Sequence, residues 1–307
     1  MNTLKIERIK VLIGHTASIF ALEKALEANC FFSGDGRGWL VKWNLDAKEQ
    51  EGRLIAQVPS NIFSICLLKK EKMLAVGTMQ GILYFIDLEK QAVVEPSLQL
   101  SASIFDIQQK ENNIFVACGD GQIHIVDLLE MKYDKSLKIS DKSIRKLTFN
   151  HAKDILLIAS SDNHIYSLNI ENKRIGKSHH RHENSVFALQ LNRDNSKVFS
   201  GSRDAHLNVW KLENEKIIWQ KSLPAHNFTI NSLALSPNQQ YLATGSRDKT
   251  IKIWNSQNLQ LLKVIDNAKI EMQAHTNSVN KLLWLDYQGF LISASDDRKL
   301  MVWKIES

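Results

Sequence analysis

Three stretches of this chain carry the same four side chains at the same spacing. His182, Ser200, Asp204 and Trp210 are separated by 18, 4 and 6 positions, and so are His226, Thr244, Asp248 and Trp254, and His275, Ser293, Asp297 and Trp303. A fixed period constrains the fold more than any composition does. Each unit is one supersecondary element that buries its apolar face only against its neighbours. A closed array of such units lets 307 residues form a single domain, 1–307, where one ordinary core would be strained to grow so large.

The unit from Ala225 to Asn255 shows what repeats. Its runs TINSLAL, YLATGS and TIKIW are short, alternating and rich in β-branched residues, with turn residues between them. Each run predicts a strand, and Leu259 to Val264 predicts a fourth. The position of Trp254 is filled along the chain by Trp43, Ile86, Val126, Leu168, Trp210, Trp254 and Trp303. Nine positions earlier a small residue always stands: Gly34, Gly77, Ala117, Ala159, Gly201, Gly245 and Ala294. Seven units follow, with a modest insertion between the last two, near Ile265 to Met272.

With Gly14-His15 opening the first unit and Trp closing four of them, the repeats resemble the WD40-repeat family. The likeness runs the length of the chain and is sharpest in the last three units. It implies an all-β fold, a seven-bladed β-propeller of four-stranded antiparallel blades. The chain ends at Trp303-Lys304-Ile305, one strand short of a blade, and residues 4–12 form a surplus strand at the start. The N-terminal strand is therefore expected to complete the last blade and close the ring.

Imidazole, hydroxyl and carboxylate in one register invite comparison with a hydrolase. An active site needs one such set, and three are present. The resemblance instead implies a structural network, with His in the connection leading into a blade, Ser or Thr on its second strand, Asp in the next tight turn and Trp on the third strand. No catalytic residue is expected. The first unit keeps His15, Ser33 and Trp43 but has Arg37 at the Asp position. The next three lack the His, with Val58, Leu100 and Ser140 in its place and Gln80, Asp120 and Asp162 at the Asp position.

Other motifs have plain explanations. Ser33 to Gly38 is glycine-rich, but a strand follows it where a phosphate loop needs a helix. His179, His180 and His182 cluster without a carboxylate or thiolate at ligand spacing, so no metal and no cofactor is expected. Cys30, Cys66 and Cys118 lie apart in apolar runs, as reduced buried thiols do. No secretory leader or membrane-spanning run is apparent, so a cytoplasmic protein, monomeric on its own, is expected. The net charge of +6 permits nucleic-acid contact, yet the basic residues are dispersed rather than gathered in a stripe.

In this family, binding usually occurs on an end face of the propeller. Five residues after each His-equivalent come Phe20, Phe63, Phe105, Arg145, Phe187, Asn231 and Asn280. A second set, just before the turn Asp, includes Arg203, Arg247 and Asp296, and small polar residues stand two before the first set. Together they suggest an apolar arc beside a basic arc of Arg145, Arg203 and Arg247, suited to a protein or peptide with apolar and acidic residues. The alternative is that the phenylalanines fill blade contacts and the arginines are merely solvated. A non-enzymatic scaffold or adaptor is the expected function, with a nucleic-acid-associated protein and a propeller enzyme as alternatives.

Overall fold

The computed structural model describes residues 4–48, 52–150, 152–177, 180–213, 215–267 and 273–306. Their strands form seven sheets of four. The first six blades are sequential antiparallel meanders, the first being Ile19–Lys24, Cys30–Asp35, Trp39–Asn44 and Arg53–Gln57. The seventh takes Val279–Trp284, Leu291–Ser295 and Leu300–Glu306, and its outer strand is Lys5–Leu12 from the other end of the chain. That strand runs antiparallel to Leu300–Glu306 from Lys5 opposite Glu306 to Leu12 opposite Leu300. The sequence assigned this closing strand one residue more, beginning at Leu4. The fourth strand of blade 6 is Leu261–Ile265, later than the expected Leu259 to Val264, because Leu259 takes a left-handed turn conformation (φ 63°).

Burial explains why the sheets stack in a ring. Second strands such as Cys30–Asp35 and Ile155–Ser160 are buried throughout, whereas the outer strand Lys132–Lys138 is mostly exposed. Each apolar cluster lies between two adjacent blades. Trp303 and Met301 of blade 7 pack with Ile251 and Ile253 of blade 6, and Phe199 of blade 5 packs with Ile230 and Trp254 of blade 6. Across the seam where the ring closes, Leu285, Ile292 and Leu300 pack with Ile19, Phe31 and Trp43. A sheet stacked on both faces has no solvated side, so apolar residues occupy both parities of the inner strands.

The recurring small residue now has a cause. A Cβ on Gly34 would lie 2.4 Å from Ile62 Cγ2, on Gly77 2.3 Å from Ile104 Cγ2, and on Gly201 2.5 Å from Ile230 Cγ2. In each case the β-branched residue that starts the next blade's inner strand presses on the backbone. Anything bulky there would push two blades apart.

All seven inner strands share one irregularity. Their pairing register jumps between Ile19 and Ala21, Ile62 and Ser64, Ile104 and Asp106, and Ile144 and Lys146. The same jump falls between Val186 and Ala188, Ile230 and Ser232, and Val279 and Lys281. The residue skipped each time is a bulge, and a bulge turns a side chain out of the sheet's regular alternation.

Candidate functional site

The bulged residues are Phe20, Phe63, Phe105, Arg145, Phe187, Asn231 and Asn280. Because every blade carries its bulge at the same level, these seven side chains converge on the axis. With Lys281 they line one cavity of about 180 Å³ at the mouth of the central channel. The rings of Phe20 and Phe63 meet edge to face, with centroids 5.3 Å apart, and those of Phe63 and Phe105 stack at 5.7 Å. The Arg145 guanidinium lies 4.2 Å from the Phe105 centroid and 5.0 Å from that of Phe187. Burial lowers its pKa, and Nε donates to Ser161 Oγ at 2.7 Å. Of the basic arc expected from sequence, Arg145 alone lies among the phenylalanines.

The two asparagines fasten the ring. Asn231 Nδ2 donates to Val279 O at 2.9 Å and Ser278 Oγ at 3.1 Å, and Asn280 Nδ2 donates to Ile19 O at 3.1 Å and Asp296 Oδ1 at 2.7 Å. These bonds link blade 6 to 7 and blade 7 to 1. Asp296 therefore orients Asn280 and stays outside the cavity. Arg203 and Arg247 also stand outside it, exposed on the surrounding turns.

Those turns are held by one bond repeated seven times. The backbone N–H of Gly36, Met79, Gly119, Ser161, Arg203, Arg247 and Asp296 donates to the carbonyl of Ser18, Asn61, Ser103, Ser143, Ser185, Thr229 and Ser278 respectively, at 2.9–3.1 Å. In blades 3, 4 and 5 the small polar side chain also reaches back one blade: Ser103 Oγ donates to Met79 O at 2.6 Å, Ser143 Oγ to Gly119 O at 2.9 Å and Ser185 Oγ to Ser161 O at 3.3 Å. These bonds tie each turn of the rim to its own blade's inner strand and, in places, to the neighbouring blade. Met79 and Phe228, 50% and 59% exposed, add apolar surface to this face.

The repeated tetrads meet as closely spaced networks. His182 Nδ1 lies 2.9 Å from Asp204 Oδ2 and Nε2 lies 2.7 Å from Ser200 Oγ, which accepts the Trp210 indole N–H at 2.7 Å. His226, Thr244, Asp248 and Trp254 match this at 2.9, 2.7 and 3.0 Å, and His275, Ser293, Asp297 and Trp303 at 2.9, 2.7 and 2.8 Å. The hydroxyl is consumed by imidazole and indole inside a blade interface, where no substrate reaches it.

Blade 1 departs from the sequence expectation. Arg37 is exposed and takes no part; Asp35, two positions earlier, supplies the carboxylate. Blades 3 and 4 improvise: Ser101 bonds Asp120 and His124, and Ser140 and Tyr166 both donate to Asp162. Among the described residues no cluster is arranged to hold a metal ion. His179 lies outside the described residues, and His180 lies beside His164, with ring centroids 5.5 Å apart.

Below the mouth the channel widens into a second cavity of about 300 Å³ that shares Phe187, Asn231 and Lys281 with the first. Glu23, Lys146 and Lys281 face it, and Asp106 stands beside them. Sequence reasoning missed these four: Asp106, Lys146 and Lys281 share one position with Ala21, Ser64, Ala188 and Ser232, where charge and sign do not repeat, and Glu23 lies two residues beyond it, where no other blade carries a charge. Burial pushes the Glu23 carboxyl up to about 7 and pulls the Lys281 ammonium down to about 8.

Residues 173–211, 219–255 and 267–304 match the family model described as WD domain, G-beta repeat (WD40). These are the three units with complete His, Ser/Thr, Asp and Trp sets. The whole fold superposes on the crystal structure of the WD40 β-propeller domain of Doa1 with a TM-score of 0.81, at 16% identity, covering 98% of this chain and 97% of that one. No curated protein matches by sequence. The molecule is a seven-bladed β-propeller, a platform with a central channel and two end faces. More particularly, three of its blades carry the WD40 repeat sequence, and its fold is similar to that of a WD40 β-propeller.

Proposed function

We propose that this propeller is a non-enzymatic interaction scaffold that binds a protein or peptide segment, bearing apolar and acidic residues, on the face that carries the bulged residues. WD40 propellers are generally protein-interaction scaffolds. The single observation behind the choice of face is the convergence of Phe20, Phe63, Phe105 and Phe187 with Arg145 around one half-open cavity. Aromatic rings and an arginine on a prefastened rim are what energetic centres of interfaces are made of. Arg203 and Arg247 on the neighbouring turns favour acidic residues at the edge of the footprint.

The protein is monomeric alone and resides in the cytoplasm on this account. Its three cysteines, all free and buried, are in keeping with a reducing compartment. No helix among the described residues is long and apolar enough to cross a membrane. The test compares proteins captured from cells by the wild type and by Phe63→Ala/Phe187→Ala. Specific partners should be lost from the double variant while its melting temperature holds. Partners retained in full would reject this face, and capture that collapses with modest added salt and needs nucleic acid would favour the nucleic-acid alternative.

A further inference from the structure

We infer that the channel mouth is a carboxylate pocket: the ammonium of Lys281, set beneath the phenylalanine ring, receives one aspartate or glutamate side chain of a partner peptide whose adjacent aliphatic residue lies on Phe20, Phe63 and Phe105. This rests on the functional assignment above and adds the group that selects the ligand.

Four observations lead there. Lys281 lines both the mouth and the deeper cavity, so its side chain lies where the two join. Among the described residues its ammonium has no hydrogen bond and no ion pair. The other charges near it are already engaged: Lys146 Nζ donates to Asp106 Oδ1 at 2.9 Å, and Asp106 Oδ2 accepts the Leu147 amide at 2.8 Å. Glu23 accepts the Lys24 amide at 3.2 Å and makes no ion pair with Lys281. A half-buried, unpaired ammonium carries a desolvation cost, and a carboxylate that pairs with it offsets that cost.

The balance of charge selects an anion. Lys146 and Asp106 cancel, leaving Lys281 opposed only by Glu23. With Glu23 at about 7 and Lys281 at about 8, the channel is net positive on the acid side of neutrality. A cationic side chain is disfavoured, because Arg145 already occupies the faces of Phe105 and Phe187. A nucleic-acid backbone needs spaced cations along a groove, whereas a mouth of about 180 Å³ admits one side chain.

The experiment selects peptides from a random phage-displayed library on the immobilised full chain and measures their affinity for wild type, Lys281→Met, Glu23→Gln and Phe63→Ala, with melting curves to establish that each is folded. Enriched peptides should share an acidic residue beside an aliphatic one. Lys281→Met should weaken them about tenfold or more. Replacing the peptide acid by its amide should cost as much in wild type and almost nothing further in Lys281→Met. Glu23→Gln should tighten binding by removing the internal competitor. Enriched peptides without an acid, or full affinity in Lys281→Met, would overturn the inference. If Phe63→Ala alone abolishes binding, the face stands and the carboxylate pocket falls; if neither variant matters, or no peptide is enriched, both fall.

Discussion

His15 Nδ1 lies 2.8 Å from Asp35 Oδ2, although the repeat register puts Arg37 where a carboxylate belongs. Asp35 Oδ1 meanwhile accepts the amides of Arg37 and Trp39, each at 2.9 Å, so one fully buried side chain both closes the turn and pairs the imidazole. Asp35→Ala should therefore cost on the order of 1–3 kcal/mol or more, by leaving buried donors unpaired. Arg37→Ala should be near neutral, within about 0.5 kcal/mol. Urea unfolding of the two variants measures the contrast, and equal costs would refute the substitution of one carboxylate for another.

The networks of the last three blades should set the acid limit of stability. Burial would raise the Asp248 pKa, but hydrogen bonding and charge from His226, with Thr250 and the Asn227 amide, outweigh it and hold the carboxyl well below its usual range. The unfolded chain then binds a proton that the folded chain refuses, so this stabilisation is complete above the ordinary value of 3.8 and drains as pH falls towards the folded value. Burial also lowers the His226 pKa below 6.5, and its contribution is lost in the same direction. Asp248→Ala should cost on the order of 1–3 kcal/mol near neutral pH and less in acid. Denaturation followed across that range would show the two curves converging; parallel curves would contradict the linkage.

Blade spacing is set by the glycine contacts. Gly201→Ala would place a methyl 2.5 Å from Ile230 Cγ2, and should destabilise by about 1–3 kcal/mol. Ile230→Ala removes the opposing Cγ2, so the double variant should cost less than the sum of the two single ones. A thermodynamic cycle on the four proteins measures the coupling, and strict additivity would mean that the two sites do not press on each other.

Glu23 should make the fold more stable in mild acid than its carboxyl content suggests. Its folded pKa, about 7, lies above the ordinary 4.5, so the folded chain holds a proton that the unfolded chain releases. Stability attributable to this group falls as pH rises from 4.5 through 7, the reverse of Asp248. Glu23→Gln should thus gain stability relative to wild type between about pH 5 and about pH 8, by roughly 2 kcal/mol at the upper end. A constant difference across that interval would place Glu23 in ordinary solvent.

Much of this was legible in the sequence, for reasons that differ by position. Ile86, Val126 and Leu168 could be recognised in place of tryptophan because that position needs apolar bulk between blades, and the small residue nine places earlier confirmed the register. The mouth was legible because a bulge recurs at one level in every blade, so its seven residues share one spacing. Asp35 was not, because it reaches the same imidazole from a different register position. Glu23 was not, because a solitary charge leaves no period to detect, and Lys281 was not, because its position carries Asp106, Lys146 and uncharged residues in other blades, with no constant sign. Outer strands carry no repeated marker and pack on one side only, so their ends, as at Leu261, drift by a few residues.

Hydrogen exchange on the propeller with and without a bound partner tests the account most directly. Protection should concentrate on the bulged segments 18–21, 61–64, 103–106 and 185–188 and on the turns at Met79, Arg203 and Arg247, and it should fade in Phe63→Ala/Phe187→Ala. Protection confined to the opposite turns, around Arg193 and Asn238, with the channel mouth exchanging freely, would contradict it.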